Sequence, residues 1–119
     1  MKTILITGAT GYLGSLLSGK FLSDGYKIIA LALNREEKFR YEKSDNAKLY
    51  YLSKKSVSDI FAENEIDIVI HTAVLYGRKD ENAVEIIKAN EEFPLSVLSE
   101  ASRHNVQLFI NRSEERRVG

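Results

Sequence analysis

The feature that most constrains this chain is an apolar run that ends in three evenly spaced glycines. Ile4-Leu5-Ile6-Thr7 leads into Gly8-Ala9-Thr10-Gly11-Tyr12-Leu13-Gly14. The apolar, β-branched run reads as a buried strand, and the helical period that follows reads as a helix. Gly8 allows a sharp turn off the strand, Gly11 leaves the backbone open to a close-approaching group, and Gly14 lets the helix pack tightly on the strand. The first helical N–H groups, on Tyr12 and Leu13, are then free to face an anion at the positive end of the helix. An ordinary glycine-rich turn is the alternative.

The rest of the chain repeats the same alternation. Buried parallel strands are expected over Thr3–Thr7, Lys27–Leu33, Lys48–Leu52, Asp67–Thr72 and Val106–Asn111. Helices are expected over Tyr12–Asp24, with Leu13, Leu16, Leu17 and Phe21 inward and Gly25 as a stop, and over Val57–Asn64, with Val57, Ile60 and Phe61 inward. A longer helix is expected from about Glu81 to His104, kinked at Pro94, with Val84, Ile87, Leu95, Leu98 and Ala101 inward. Asn34–Asn46 is charged and without period, so a loop with at most one helical turn is expected there. Strand and helix alternating at this pitch imply an α/β, Rossmann-type doubly wound parallel sheet of five strands in the order 3-2-1-4-5, truncated after the fifth.

Composition narrows the function classes. With 17 basic and 17 acidic residues the formal net charge is zero, which gives no field for nucleic acid or an anionic membrane. There is no cysteine, so disulfides, zinc-thiolate sites and thiol chemistry are excluded, and no metal site is expected. No apolar stretch approaches the ~18 residues of a membrane span, and the three glycines interrupt any signal-peptide core. A cytoplasmic, soluble protein is the expectation. The last eight residues, Arg112-Ser-Glu-Glu-Arg-Arg-Val-Gly119, leave the pattern and resemble translated sequencing-adapter sequence. The domain is therefore expected to be 1–111, with 112–119 a non-native tail.

The spacing Thr7-Gly8-x-x-Gly11-x-x-Gly14 resembles the signature of extended short-chain dehydrogenases/reductases, the NAD(P)-dependent epimerase/dehydratase family. The resemblance runs to Asn111. Ile70-His71-Thr72-Ala73 looks like the family's His-x-Ala segment, which lines the nicotinamide side of the pocket, and Asn90 matches an asparagine near the active-site floor. More narrowly, His71–Arg78, Glu92–Leu95 and Leu108–Asn111 resemble CDP-abequose synthase-like reductases of O-antigen synthesis. The cofactor-binding set that follows is Gly8, Thr10, Gly11, Tyr12, Leu13, Gly14, Asn34, Arg35, His71, Thr72, Ala73 and Asn90. Blander roles stand beside these: His71 as a core histidine, Asn90 as a partner of a helix carbonyl, Tyr76 as a packing residue rather than a substrate contact.

An NAD enzyme of this kind usually ends its second strand with Asp or Glu for the ribose 2′-hydroxyl. Here Ala32 or Leu33 stands in that place, and Arg35 is available for a 2′-phosphate, so NADP is favoured over NAD; an exposed loop base is the alternative for Arg35. The acidic residue that family members carry beside the adenine, after the third strand, is replaced by Leu52-Ser53. The resemblance implies a nucleotide-sugar substrate, a homodimer when full-length, and catalysis by a Ser or Thr after the fifth strand with a downstream Tyr-x-x-x-Lys. That pair does not follow Asn111, and Tyr50-x-x-x-Lys54 and Tyr51-x-x-x-Lys55 fall beside a strand, so no catalytic residue is assigned in this chain. A non-catalytic NADP sensor and an atypical reductase of a non-sugar substrate remain open beside the nucleotide-sugar reading.

Overall fold

A computed structural model of the chain describes residues 1–32, 38–72 and 95–111. The described elements are β1 (Thr3–Thr7), α1 (Tyr12–Ser23), β2 (Lys27–Ala32), β3 (Ala47–Tyr51), α2 (Val57–Glu63), β4 (Ile68–His71), a helical segment α3 (95–103) and β5 (Leu108–Asn111). All five strands are parallel and lie in the order β3-β2-β1-β4-β5. This is the expected topology. The strand bounds agree closely with the sequence reading. β3 begins and ends one residue earlier than expected, and β5 is limited to its last four residues.

Because neighbouring strands run in register, each face of the sheet collects every second residue. Ile4 pairs with Ile28 and with Ile68, while Leu5 pairs with Ile29 and with Val69. One face carries Ile4, Ile6, Ile28, Ala30 and Ile70 and packs against Leu17, Phe21 and Leu22 of α1. The other carries Leu5, Ile29, Leu31 and Val69 and packs against Val57, Ile60 and Phe61 of α2 and Val97 and Ala101 of α3. β1 and β2 are buried on both faces, which is why their sequences are continuous apolar runs rather than alternating ones.

Two inward faces differ from expectation. Leu16 of α1 is 57% exposed, and the residues α1 buries fully are Gly14 and Ser18. The helix lies too close to the β1 turn for a large side chain there: a Cβ on Gly14 would stand 2.1 Å from the Gly8 carbonyl oxygen. The Ser18 hydroxyl, facing the same tight contact, donates back to the Gly14 carbonyl at 2.7 Å. On α3, Leu95 and Leu98 are exposed and Val97 and Ala101 are the buried pair, so the helix is rotated from the expected stripe. Val84, Ile87 and the Pro94 kink lie outside the described residues.

Residues 38–46 form successive turns without a helix. Glu42 N–H donates to the Phe39 carbonyl, and Ser44 N–H to that of Tyr41. The charged surroundings hid an anchor: Phe39 is buried on the α1 face of the sheet, with Tyr41 edge-on to it at 5.8 Å between ring centroids. Tyr41 in turn lies with its hydroxyl end against Gly19 of α1, where a side chain would make the ring shift.

At the far edge of the sheet, Leu108 and Ile110 of β5 are exposed on the face that α1 covers over β1 and β2, while Phe109 packs on the opposite, α2–α3 core.

Replacement of Gly14 by alanine should lower stability by about 1–3 kcal/mol, because a methyl cannot be placed without moving the helix off the turn. Urea denaturation of Gly14→Ala against the unaltered protein checks this; equal midpoints would show that α1 has room to shift.

Candidate cofactor site

β1 ends at Thr7, and the chain reverses at Gly8, whose φ of 66° lies in the left-handed region that favours glycine. Gly11 N–H donates to the Gly8 carbonyl at 3.0 Å, closing the turn, and Gly11 then caps α1 while accepting from Ser15 N–H at 2.9 Å. The cap has no side-chain hydrogen bond, and the first turn of α1 contains no acidic residue. The leading N–H groups of a helix have no intrahelical acceptor. Here, among the described residues, the cap itself offers them no side chain and the first turn of α1 carries no carboxylate. The arrangement suits an anion arriving from outside.

Gly11 separates two explanations of the glycines. Its backbone is extended, with φ −77° and ψ 177°, which any residue adopts. Among the described residues, a Cβ placed there would meet the Gly8 carbonyl oxygen alone, at 3.4 Å. Among the described residues, packing therefore demands glycine at 14 and backbone conformation favours it at 8, while neither calls for it at 11. A serine at this cap would even supply the missing side-chain bond. The absence of a side chain at Gly11 leaves backbone uncovered beside the helix end, as the approach of a phosphate group demands.

Next to this turn, β1 and β4 are paired so that Thr7 lies opposite His71. The Thr7 hydroxyl and His71 Nδ1 share a buried hydrogen bond of 2.8 Å. Thr72 N–H donates to the same hydroxyl at 3.0 Å, and the Thr72 hydroxyl donates to the Thr7 carbonyl at 2.6 Å. His71 is 2% exposed, and burial holds its pKa below the ordinary value of 6.5, so the ring is neutral at neutral pH. The sequence offered His71 no visible partner; the structure supplies Thr7. The signal was present in the alignment of two strand ends, each closing on a polar residue after an apolar run.

Of the residues expected to bind cofactor, Gly8, Thr10, Gly11, Tyr12, Leu13 and Gly14 form one turn, and His71 and Thr72 stand beside it at the end of β4. Asn34, Arg35, Ala73 and Asn90, together with Tyr76, lie outside the described residues. Of the two Tyr-Lys spacings around β3, Tyr50 of one and Lys55 of the other meet on Glu63. The Tyr50 hydroxyl donates to Glu63 Oε1 at 3.0 Å and accepts from Asn64 Nδ2 at 3.0 Å, while Lys55 Nζ pairs with the other Glu63 oxygen. This network ties β3 to the end of α2. The Lys55 bond, with help from Tyr50, pulls the Glu63 carboxyl below its ordinary pKa.

Among the described residues no cluster of side chains could hold a metal ion, and no helix is long and apolar enough to cross a membrane.

The profile of the NAD dependent epimerase/dehydratase family matches residues 4–113. The chain belongs to that family. It is similar to UDP-glucose 4-epimerase of Bacillus subtilis (strain 168), with 37% identity over 81 residues that cover 60% of this chain and 24% of that protein. It is also similar to CDP-abequose synthase of Salmonella typhimurium, with 24% identity over 112 residues covering 91% of this chain and 36% of that one. Among solved structures, UDP-glucose 4-epimerase from Bifidobacterium longum in complex with NAD+ and UDP superimposes with a TM-score of 0.72 at 28% identity, over 94% of this chain and 37% of the other. The chain thus spans between a quarter and somewhat over a third of these proteins' lengths. As in an epimerase/dehydratase domain, the glycine turn and the end of β4 meet where the order of strands reverses, the crevice in which open α/β sheets bind their ligands.

The His71 ring should remain neutral as pH falls through 6.5, titrating only below that value. Since the unfolded chain takes up its proton first, stability should decline on acidification from about 6.5 down to the folded-state pKa. Imidazole NMR titration reads the midpoint directly. A midpoint at or above 6.5 would mean the ring is better solvated than its burial indicates.

Proposed function

We propose that the protein is an NAD(P)-dependent epimerase, dehydratase or reductase of a nucleotide-activated sugar. In this reading the dinucleotide pyrophosphate lies on the N–H groups of Tyr12 and Leu13, with Gly8, Thr10, Gly11 and Gly14 shaping the turn. The nicotinamide end lies toward His71, Thr72, Ala73 and Asn90. The observation that carries the reading is Gly11, a glycine that nothing among the described residues calls for and that an incoming phosphate would. Similarity to UDP-glucose 4-epimerases and CDP-abequose synthase supports the sugar-nucleotide substrate.

The dinucleotide, when bound, supplies the hydride acceptor or donor. The residues of this chain bind and orient it, and no group among them is assigned to proton transfer. NADP is favoured over NAD because the end of β2 offers Ala32 and Leu33 in place of an acid, with Asn34 and Arg35 next along the chain. The functional unit is taken as 1–111, with 112–119 outside it. The balanced charge and lack of cysteine fit a cytoplasmic protein, and the family resemblance supports a homodimer.

Gly11→Ser should leave the unfolding free energy from urea denaturation unchanged within about 0.5 kcal/mol and lower dinucleotide affinity by about tenfold or more. Calorimetric titration with NADH and NADPH measures the second quantity. A destabilised variant that still binds normally would assign Gly11 to the fold instead.

NADPH should bind more tightly than NADH, and Arg35→Ala should remove the difference. A charge-assisted contact to the 2′-phosphate is worth about 1.5–3 kcal/mol, or one to two decades in affinity. Equal affinities in the unaltered protein would overturn the preference.

A further inference from the structure

We infer that the outer edge of β3 is a docking edge for an extended strand of a partner protein, one that alternates acidic and apolar residues. The inference is independent of the dinucleotide reading, since it concerns the border of the sheet rather than the crevice between β1 and β4.

The backbone supplies the first part of the case. Among the described residues β3 pairs with β2 alone, in unbroken register from Ala47 to Tyr51. The Asn46 carbonyl accepts from Ile28 N–H at 2.8 Å, and Leu52 N–H donates to the Ala32 carbonyl at 2.9 Å, so the even-numbered positions bond to β2. In a parallel ladder the positions between them turn both backbone groups the other way. Ala47 N–H is taken by the Ser44 carbonyl at 3.2 Å, and the Tyr51 carbonyl accepts from Lys54 and Lys55 N–H. Between these, the Ala47 carbonyl, both backbone groups of Leu49 and Tyr51 N–H have no partner among the described residues. Such a row of donors and acceptors is what an added strand pairs with.

The side chains give this edge two unlike faces. Leu49 is half-buried on the α1 side, where Tyr51 also falls by alternation. Lys48 and Tyr50 belong to the α2 side, and the ammonium groups of Lys48 and Lys55 lie 5.3 and 5.9 Å from the centre of the Tyr50 ring. Residues 47–55 contain three lysines and no acid. Glu63 is engaged by Lys55 and Tyr50, which leaves Lys48 and Lys54 exposed and without an ion pair among the described residues. A cleft of about 370 Å³, lined by Leu49, Tyr50, Tyr51, Lys54 and Lys55, opens at the same place. A strand laid here would send its side chains alternately to the two faces, apolar ones beside Leu49 and Tyr51 and carboxylates beside Lys48. Lysines on an edge also oppose pairing with a second copy, because like charges then meet across the join. Charge therefore favours an acidic partner over another molecule of this chain.

Fluorescence anisotropy with the whole 119-residue chain tests the edge. The probe is a short labelled peptide of alternating glutamate and valine, and its control has the same composition in two blocks. The alternating peptide should bind at least about fivefold more tightly than the block peptide, and binding should weaken as salt is raised. N-methylation of alternate amides in the two possible phases separates backbone pairing from charge. One phase, with the methyl groups turned to β3, should lower affinity about tenfold, and the other by no more than about threefold. Leu49→Pro, which removes an edge donor, should also lower affinity about tenfold. If that variant does not fold, the exposed pair Lys48→Glu and Lys54→Glu should lower it about fivefold or more. Equal binding of the alternating and block peptides, equal effects of both methylation phases, or no saturable binding at all would overturn the docking edge. So would sedimentation showing that the unliganded chain dimerises and that Leu49→Pro abolishes the dimer, since the occupant would then be a second copy.

Discussion

The contact between the start of α1 and the turn after β1 governs what the rest of this structure can do. At Gly14 the helix comes so close that even one methyl group would collide with the Gly8 carbonyl. That proximity orients the helix so that its uncapped first N–H groups open beside the sheet's central strand. It also rotates α1 so that Ser18 rather than Leu16 turns inward, with the flanking Leu17, Phe21 and Leu22 packing over β1 and β2. The open helix end and the hydrophobic packing of this layer are two results of one steric fact.

On the opposite side of the sheet, α2 and α3 cover Leu5, Ile29, Leu31 and Val69. With layers on both faces, β1 is wholly buried, and its end is held by contacts that water does not reach. The crevice between β1 and β4 therefore has a buried, hydrogen-bonded floor. Loops positioned by such a scaffold are where binding residues concentrate. The surface is less evenly covered at β5, where Leu108 and Ile110 face outward in line with Ile68 and Ile70 beyond the reach of α1. The sheet thus passes from a strand with no exposed apolar surface at its centre to one that keeps considerable apolar exposure at its edge.

Long, periodic segments were legible from the residues themselves. β1 was read to its exact bounds, as was the start of α2 with its buried Val57, Ile60 and Phe61. The less legible parts share a cause: they depend on distance between elements, which no local pattern encodes. Leu16 has the spacing of an inward residue, but the helix is pinned on small residues and presents it to solvent. Phe39 stands in a charged, aperiodic stretch and is buried nonetheless, because the turns of 38–46 deliver it to the sheet face that α1 leaves open. On α3 the helix was foreseen and its buried side was not, since Val97 and Leu98 are equally apolar and only the direction of the underlying sheet chooses between them.

The residue order by itself determined the parallel α/β architecture, the strand-turn-helix at Gly8–Gly14 and the family resemblance, because each is written in local spacing: an apolar run, three glycines, a helical period. Tertiary structure alone decided which of those glycines the packing constrains, since that depends on how near Gly8 lies to positions 11 and 14. It also decided the partner of His71. Sixty-four positions separate Thr7 from His71, and only the pairing of β1 with β4 brings hydroxyl and imidazole within hydrogen-bonding distance. Local sequence sets what each segment becomes; the close packing of segments sets which polar groups meet, because hydrogen bonds and steric contacts act over a few ångströms of space regardless of distance along the chain.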